Sequence, residues 1–190
     1  LCASRGLGDV YKRQSLNELF NHFGTDKGTE VLNPYSKESN EIHGHGFAKF
    51  YEKEFKHYKN KKLNILEIGT WEGASSAAFL NYFPNATIYC IDKNFRFKFK
   101  SKRINFFNCD INNKKDMNRF FLKFNDINFK IIIDDASHTL SDMIKSLKFF
   151  FQQLDSNGIF VIEDFNAPVY FEALNDTKGK ELFMNNLLKN

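Results

Sequence analysis

The chain has 190 residues, of which 42% are hydrophobic and 26% are charged, and its formal net charge is +4. These values are typical of one globular domain that can bury a sizeable core. They exclude a disordered, collagen-like or strongly polyionic chain.

Two further features concern the compartment. No stretch approaches the ~20 consecutive apolar residues that span a bilayer. The three cysteines form no CxxC pair, which favours a reducing environment and buried thiols. We therefore expect a soluble, cytoplasmic protein that makes no contact with a membrane.

Residues 1–14 show neither helical nor strand periodicity, and we interpret them as a foreign or disordered end. Residues 15–62 are predicted to form an N-terminal helical cap segment. Its first helix has an N-cap at Ser15, a capping-box partner at Glu18 and a terminating glycine at Gly24.

A turn-rich loop follows this helix, and the apolar spacing then predicts a second helix over residues 45–55. Three histidines lie near that helix, at His43, His45 and His57. Because their spacing matches no zinc pattern, we interpret them as exposed or capping residues.

The remaining part, residues 63–190, is predicted to be a Rossmann-like α/β domain that binds a cofactor. Its first strand contains Glu67 and leads into a turn bounded by Gly69 and Gly73, after which a helix begins. Glycines let the backbone approach a ligand closely, and the free N–H groups of a helix start favour an anion. A second strand ends in Asp92, about twenty residues beyond the turn, where an acid can accept hydrogen bonds from ribose hydroxyls. A helix cap or turn residue is the alternative reading of Asp92.

Further elements follow in the same alternating order. They are a weaker strand over 105–110 that ends in Asp110, a helix over 113–124, a strand from 131, a helix over 141–154, a strand over 158–162 and a last helix over 180–189.

The strand from 131 and the strand over 158–162 each end in a pair of acidic residues, and these two carry the chemistry of the chain. Ile131 to Ile133 run into Asp134, Asp135, Ala136, Ser137 and His138, and the next strand runs into Glu163 and Asp164. One helix-length segment separates the two strands, so they read as neighbours in a parallel sheet. The carboxyl ends of such strands form the ligand-binding edge of an open α/β sheet.

Asp135, His138, Glu163 and Asp164 would then share one edge, and three hard oxygen ligands beside an imidazole suit a divalent metal with a general base. The alternatives are structural. Asp134, Asp135 or Ser137 could cap the following helix, and the other acids could be a solvated strand end.

The form of the glycine turn bears on the cofactor. It lacks the G-x-G-x-x-G that holds a pyrophosphate, and the acids Glu67 and Glu72 would repel a dinucleotide. S-adenosylmethionine (SAM) is cationic and carries a ribose for Asp92 and an adenine that would lie near Asp110. The E-x-G-x-x-x-G form resembles the first motif of class I SAM-dependent methyltransferases.

Other segments of the sequence narrow this resemblance to one group of methyltransferases. The chain is similar, over about residues 15–170, to the macrocin and mycinamicin sugar O-methyltransferases, which are metal-dependent. The matching segments are Phe23 to Gly28, His45 to Phe47, Tyr51–Glu52, Leu66 to Gly69, Tyr82 to Ala86, Ile91–Asp92, Ile133 to His138 and Val161 to Asp164. Phe47 departs from the pattern, which usually has Tyr there.

The resemblance implies roles for particular residues. It implies that Mg²⁺ is held by Asp135, Glu163 and Asp164, and that His138 is the catalytic base. It also implies that Thr25, Asp26, Lys27 and Asp134 join Glu67, Gly69, Gly73, Asp92 and Asp110 in cofactor binding.

The family's sheet closes with two more strands after the fifth, and the sequence stops before them. We therefore expect a fragment that lacks its C-terminal strands and could form a homo-oligomer through the exposed edge.

The predicted function is SAM- and Mg²⁺-dependent O-methylation of a sugar or another small natural product, with a small-molecule acceptor as partner. The alternative is an NAD(P)-dependent oxidoreductase on the same fold. A nucleic-acid-binding module using the aromatic and basic cluster Phe95–Arg103 is a third reading, but one short cluster falls short of a basic face.

Overall fold

The structure is a computed structural model and describes residues 14–30, 44–95 and 99–176. The segment 1–13, the predicted last helix over 180–189, His43 and three residues of the basic cluster lie outside the described residues. The chain divides into two compact units. No helix in the described ranges is long and apolar enough to cross a membrane.

Among its described residues, the first unit contains three helices, α1 (Leu16–Phe23), α2 (Ala48–Phe55) and α3 (Ala74–Tyr82), with a short 3₁₀ turn at Lys56–Tyr58. The local signals that start and end α1 are the predicted ones. Ser15 and Glu18 form both bonds of the capping box, and Gly24 ends the helix with φ 75°. Glycine has no Cβ to clash in this left-handed conformation, which is why the helix can stop there.

Aromatic rings form the interior of the first unit. Phe20 of α1 lies 5.4 Å from Phe79 of α3 and 6.1 Å from Tyr51 of α2, measured between ring centroids. These pairs meet edge to face, which is a favoured geometry for aromatic rings. Because all three rings are fully or almost fully buried, the abundant phenylalanine serves packing here.

The second unit contains the sheet and the helices after it. Its elements are β1 (Asn64–Ile68), most of β2 (Thr87–Asp92) and β3 (Ile104–Asn108), α4 (Lys114–Phe124), β4 (Phe129–Asp134), α5 (Leu140–Phe150), β5 (Leu154–Ile162) and α6 (Ala167–Tyr170). Two 3₁₀ turns, Phe151–Gln153 and Glu172–Leu174, complete it.

The strands form one five-stranded sheet in the order β3-β2-β1-β4-β5. β4 pairs in parallel with both β1 and β5. Ile131, Ile132 and Ile133 of β4 are fully buried, as expected for a strand covered on both faces. The order reverses between β1 and β4, and open α/β sheets bind their ligands beyond the carboxyl ends of the strands at such a point.

The connection between β4 and β5 differs from the prediction. The helix predicted to reach Leu154 ends at Phe150, and Leu154 instead begins β5 opposite Phe129. The strand predicted to begin at residue 158 begins four residues earlier, so that Asn157 and Gly158 lie within it at an irregularity of the register, where Asn157 has φ 56°. Lys130 stabilises this irregular stretch because its ammonium group lies 3.3 Å from Asp155 Oδ2.

Candidate active site

The carboxyl ends of β4 and β5 carry the predicted acids. The sheet hydrogen bonding continues past both strands, because Asp135 N–H donates to Ile68 O and Glu163 N–H donates to Asp134 O, each at 2.9 Å. These bonds fix the backbone directly beneath the side chains that follow. The predicted neighbouring positions of the two strand ends are therefore present in the structure.

Three of these side chains converge. His138 Nε2 lies 3.6 Å from Asp135 Oδ1 and 3.7 Å from Asp164 Oδ2. One donor atom from each residue lies within 4.8 Å of the others, which is close enough for one metal ion. All three side chains are half-buried, so a ligand could reach them from solvent. Two carboxylates beside an imidazole can hold a hard cation and accept a proton.

The backbone at two of these residues is unusual. His138 has φ 55° and Asp164 has φ 49°, in the left-handed region that few non-glycine residues adopt. Both residues lie in the loops that follow the two strands, and their side chains face each other at 3.7 Å. Sequence patterns do not reveal the left-handed conformation, because neither position carries glycine.

The helix after β4 is capped by a different residue from those considered above. Thr139 is the N-cap of α5, and its hydroxyl accepts a hydrogen bond from Asp142 N–H. The alternative in which Asp134, Asp135 or Ser137 caps this helix is therefore wrong. Their side chains are not needed for that purpose, which favours the functional reading of Asp135.

Glu163 differs from its neighbour Asp164. It is only 5% exposed, and the three-residue group does not include it. Its backbone N–H is held by Asp134 O, so its position on the strand end is fixed. Its role as a metal ligand stays a prediction.

Asp134 is the most deeply buried acid of this edge, with 4% exposure. Burial raises the pKa of its carboxyl group to about 7, although the nearby Ser146 hydroxyl and the Ala136 N–H favour the charged form. Within the described residues, Asp134 Oδ2 has no hydrogen-bond partner. A buried oxygen without a partner is costly, so a donor from a ligand would stabilise it.

The glycine turn after β1 approaches β4 closely. Gly69 has φ 82°, and a Cβ atom built there would lie 2.2 Å from Asp135 O and 2.6 Å from Ala136 Cα. Only glycine fits this position without moving the loop that carries Asp135. Glu67, in the strand before it, is fully buried.

Asp92 at the end of β2 organises the same turn. Its Oδ2 accepts a hydrogen bond from Trp71 N–H at 2.8 Å, and its Oδ1 accepts one from Asn94 N–H at 2.7 Å. Trp71 itself has φ 47° and is 53% exposed. Each carboxylate oxygen can accept a further bond, so this turn-ordering role leaves capacity for ribose hydroxyls.

The other predicted cofactor residues occupy separate loops. Asp110 accepts a hydrogen bond from Asn112 N–H at 2.9 Å and follows β3 in the second unit. Gly73, with φ 77°, is the N-cap of α3 in the first unit. The first unit also holds Thr25, Asp26 and Lys27.

Backbone hydrogen bonds tie that last loop to the segment before α2. His45 N–H donates to Asp26 O, and Ala48 N–H donates to Lys27 O at 3.1 Å. Lys27 is only 1% exposed, which is rare for a lysine.

The described end of the basic cluster has a structural role. The Arg103 guanidinium donates to Leu80 O, Phe83 O and Ala86 O at 2.8–2.9 Å and so holds the carboxyl end of α3. Phe95 packs edge to face on Phe106 at 5.4 Å. These contacts account for both residues without nucleic acid.

Comparison with solved structures identifies the fold as the Rossmann-like fold of class I SAM-dependent methyltransferases. The MycE methyltransferase from the mycinamycin biosynthetic pathway, in complex with Mg and SAH, matches with a TM-score of 0.72 and 24% identity, over 94% of this chain and 48% of that one. A second structure of it, which also holds mycinamycin VI, matches at 25% identity and the same TM-score and coverage. The predicted fold class is confirmed.

The curated relatives narrow the resemblance. Mycinamicin VI 2''-O-methyltransferase of Micromonospora griseorubida is 29% identical over 127 residues, which are 63% of this chain and 31% of the relative. Demethylmacrocin O-methyltransferase of Streptomyces fradiae is 28% identical over 164 residues, 83% of this chain and 38% of the relative. The resemblance predicted from the sequence is confirmed. The chain spans about a third of the length of these relatives, and no protein-family model matches it.

Proposed function

We propose that this chain catalyses SAM- and Mg²⁺-dependent methylation of a hydroxyl group on a sugar or a sugar-bearing small molecule. The observation that carries the proposal is the convergence of Asp135, His138 and Asp164 at the carboxyl ends of β4 and β5. The curated relatives are named O-methyltransferases, and the MycE structure holds Mg, SAH and mycinamycin VI. Both facts support the same chemistry for this chain.

The donor set fits magnesium. Mg²⁺ prefers oxygen ligands and keeps several waters, so Asp135 and Asp164 would hold it and leave positions for an acceptor. Glu163 is proposed as a third ligand from the resemblance. The imidazole of His138 is a weaker match for this hard cation, and we assign it to proton transfer instead.

The glycine turn fits SAM in its hydrogen-bonding capacity and its charge. Gly69 lets the turn lie directly against the loop that carries Asp135, and Asp92 retains acceptor capacity for two hydroxyls. Glu67 adds a buried acid to the strand before the turn, which suits a cationic ligand. Gly73, Asp110, Asp134 and the loop with Thr25, Asp26 and Lys27 are proposed as further cofactor contacts.

The residues of the chain then act as follows. Bound SAM would supply the methyl group, and bound Mg²⁺ would lower the pKa of the acceptor hydroxyl. His138 Nε2 takes the hydroxyl proton. The carboxylates at 3.6 and 3.7 Å stabilise the imidazolium that results, because opposite charges at this separation attract. The site also holds both reactants in one orientation.

The proposed location is the cytoplasm. Cys90 and Cys109 are both buried in the structure, and Cys109 is a free thiol. A free thiol in the interior supports a reducing compartment.

The experiment uses the one tryptophan of the sequence, which is Trp71 in the proposed cofactor turn. Titration with S-adenosylhomocysteine should change the fluorescence of Trp71 in a saturable way. NADH should neither change this fluorescence nor displace S-adenosylhomocysteine. Methyl transfer from labelled SAM to a sugar with vicinal hydroxyls should require Mg²⁺ and stop in EDTA. Saturable NADH binding without binding of S-adenosylhomocysteine would instead support an oxidoreductase. Full activity in EDTA would refute the metal.

A further inference from the structure

Asp142, in the first turn of α5, binds two separate loops through the two oxygens of its carboxylate. Its Oδ2 accepts a hydrogen bond from the Ser137 hydroxyl at 2.6 Å, and its Oδ1 accepts one from the Asn112 amide at 2.9 Å. The side chain is 15% exposed. No role in binding or chemistry follows for this residue from the function proposed above.

The charge of this carboxylate is stabilised from several sides. Lys145, one turn further along α5, lies 3.5 Å from Asp142 Oδ1 and also donates to the Asn112 side-chain oxygen. Burial opposes ionisation, but the hydrogen bonds from Ser137 and Asn112 and the charge of Lys145 lower the pKa of Asp142. Short bonds to a charged acceptor are stronger than neutral ones.

Each of the two loops carries residues of the proposed site. Ser137 directly precedes His138, whose left-handed backbone with φ 55° needs to be held by its surroundings. Asn112 lies in the loop after β3, where its N–H donates to the Asp110 carboxylate at 2.9 Å. Asp142 is therefore one bond away from the loop of the base and one bond away from the loop of Asp110.

We infer that Asp142 is a positioning residue that fixes the Asp135–His138 loop against the Asp110–Asn112 loop. Without it, Ser137 loses its anchor, and the strained turn at His138 can relax away from Asp164. The inference rests on the proposed function only in what the held loops do, since the contacts themselves involve no ligand. Partners that orient metal ligands in this way typically contribute 10–100-fold to metal affinity.

The test reverses the Asn112–Asp142 pair. Asn112→Asp places two carboxylates against each other and should open the loops. The double variant N112D/D142N restores one amide and one carboxylate with their positions exchanged, so Lys145 and Ser137 keep partners. Gln152→Glu adds the same charge at an exposed site and serves as the control.

Two measurements on the whole chain decide the matter. Hydrogen exchange of residues 135–139 should rise at least tenfold in N112D and return to within threefold of the wild type in the double variant. Mg²⁺ affinity by calorimetry should fall roughly tenfold in N112D and recover in the same way. Thermal melting checks that each variant is folded.

The outcomes separate the two proposals. Unchanged loop exchange in folded N112D, or no recovery in the double variant, overturns the positioning role. A loss of thermal stability without any change in loop exchange or Mg²⁺ affinity overturns it as well. If the wild type binds no Mg²⁺, the proposed metal site fails, while the exchange measurement still decides whether Asp142 holds the loops.

Discussion

The carboxyl ends of β1 and β2 and the carboxyl ends of β4 and β5 both contribute to the proposed site, and they are built differently. We call them the β1–β2 edge and the β4–β5 edge. At the β1–β2 edge, the backbone N–H groups of Trp71 and Asn94 each donate a short hydrogen bond to the Asp92 carboxylate. At the β4–β5 edge, Asp135 and Asp164 face the His138 ring at 3.6 and 3.7 Å, which is longer than a direct hydrogen bond. We call the first the closed edge, because short backbone bonds hold its carboxylate, and the second the open edge, because its three half-buried side chains face one another at ion-pair distance.

The difference indicates what each edge requires. The first edge keeps its shape without a ligand, so a cofactor should bind there with little rearrangement of the backbone. The second edge brings like charges together, and a cation would relieve their repulsion. We therefore expect substitutions at the second edge to alter chemistry and substitutions at the first edge to alter cofactor affinity.

The largest expected effect is at the open edge. His138→Ala should lower the rate of methyl transfer by roughly 10²–10⁴, because a positioned base contributes that much. Binding of Mg²⁺, measured by calorimetry, should change little, since the carboxylates remain. Raising the pH should recover part of the rate, because the acceptor hydroxyl then ionises without the base. His57→Ala, at an exposed histidine of the first unit, is the control. A fully active His138→Ala protein would contradict the assignment.

The contact between the two edges should be the next most sensitive. Gly69→Ala should lower the free energy of unfolding by about 3 kcal/mol, because its Cβ would overlap Asp135 O and its backbone is left-handed. Gly46→Ala is a matched control, with φ 69° and nothing within 4 Å of the added Cβ. Denaturant unfolding measures both. Equal losses would mean that the close approach at Gly69 is unimportant.

Asp134 gives the open edge a dependence on pH. Burial raises the pKa of the Asp134 carboxyl group in the folded chain to about 7, from 3.8. Between pH 4 and pH 7 the folded chain therefore holds a proton that the unfolded chain has released. The free energy of unfolding in EDTA should therefore fall by a few kcal/mol as pH rises from 4 to 7, and level off above 7. Asp134→Asn should abolish this fall, and Asp126→Asn, at an exposed acid, should keep it. An unchanged pH profile in Asp134→Asn would refute the assignment.

The smallest effect is expected at the closed edge. Asp92→Ala should weaken binding of S-adenosylhomocysteine about tenfold, or ~1.4 kcal/mol, through lost hydrogen bonds to the ribose and a less ordered turn. Fluorescence of Trp71 measures this affinity. Asp92→Asn keeps one acceptor oxygen and should lose less. If both variants bind as the wild type does, Asp92 only shapes the turn.

The parts of the fold that were predictable are those with local signals. The capping box at Ser15 and Glu18 predicted the start of α1, and the isoleucines of β4 predicted a buried strand with acids at its end. The strand order and the end of α5 depend on pairing between distant residues. Leu154 has an apolar side chain that suits either a helix or a strand, and only its position opposite Phe129 decides between them.

The site was predictable in its residues more than in its geometry. The sequence places Asp135, His138 and Asp164 at neighbouring strand ends, but it gives no sign that His138 would lie between the two acids. That arrangement depends on left-handed φ angles at non-glycine residues. Asp142 carried a weak signal, because a threonine followed three residues later by an acid is typical of a helix start.

The left-handed backbone conformation at His138 can be kept by a residue that cannot act as the proposed base. Asparagine adopts φ near 55° at least as readily as histidine does, so a His138→Asn chain should be folded to within about 1 kcal/mol of the wild type. It would lack the proposed base while the proposed cofactor contacts remain. Under the proposed function, an inactive descendant, a pseudoenzyme that retains cofactor binding, is therefore one substitution away from this sequence.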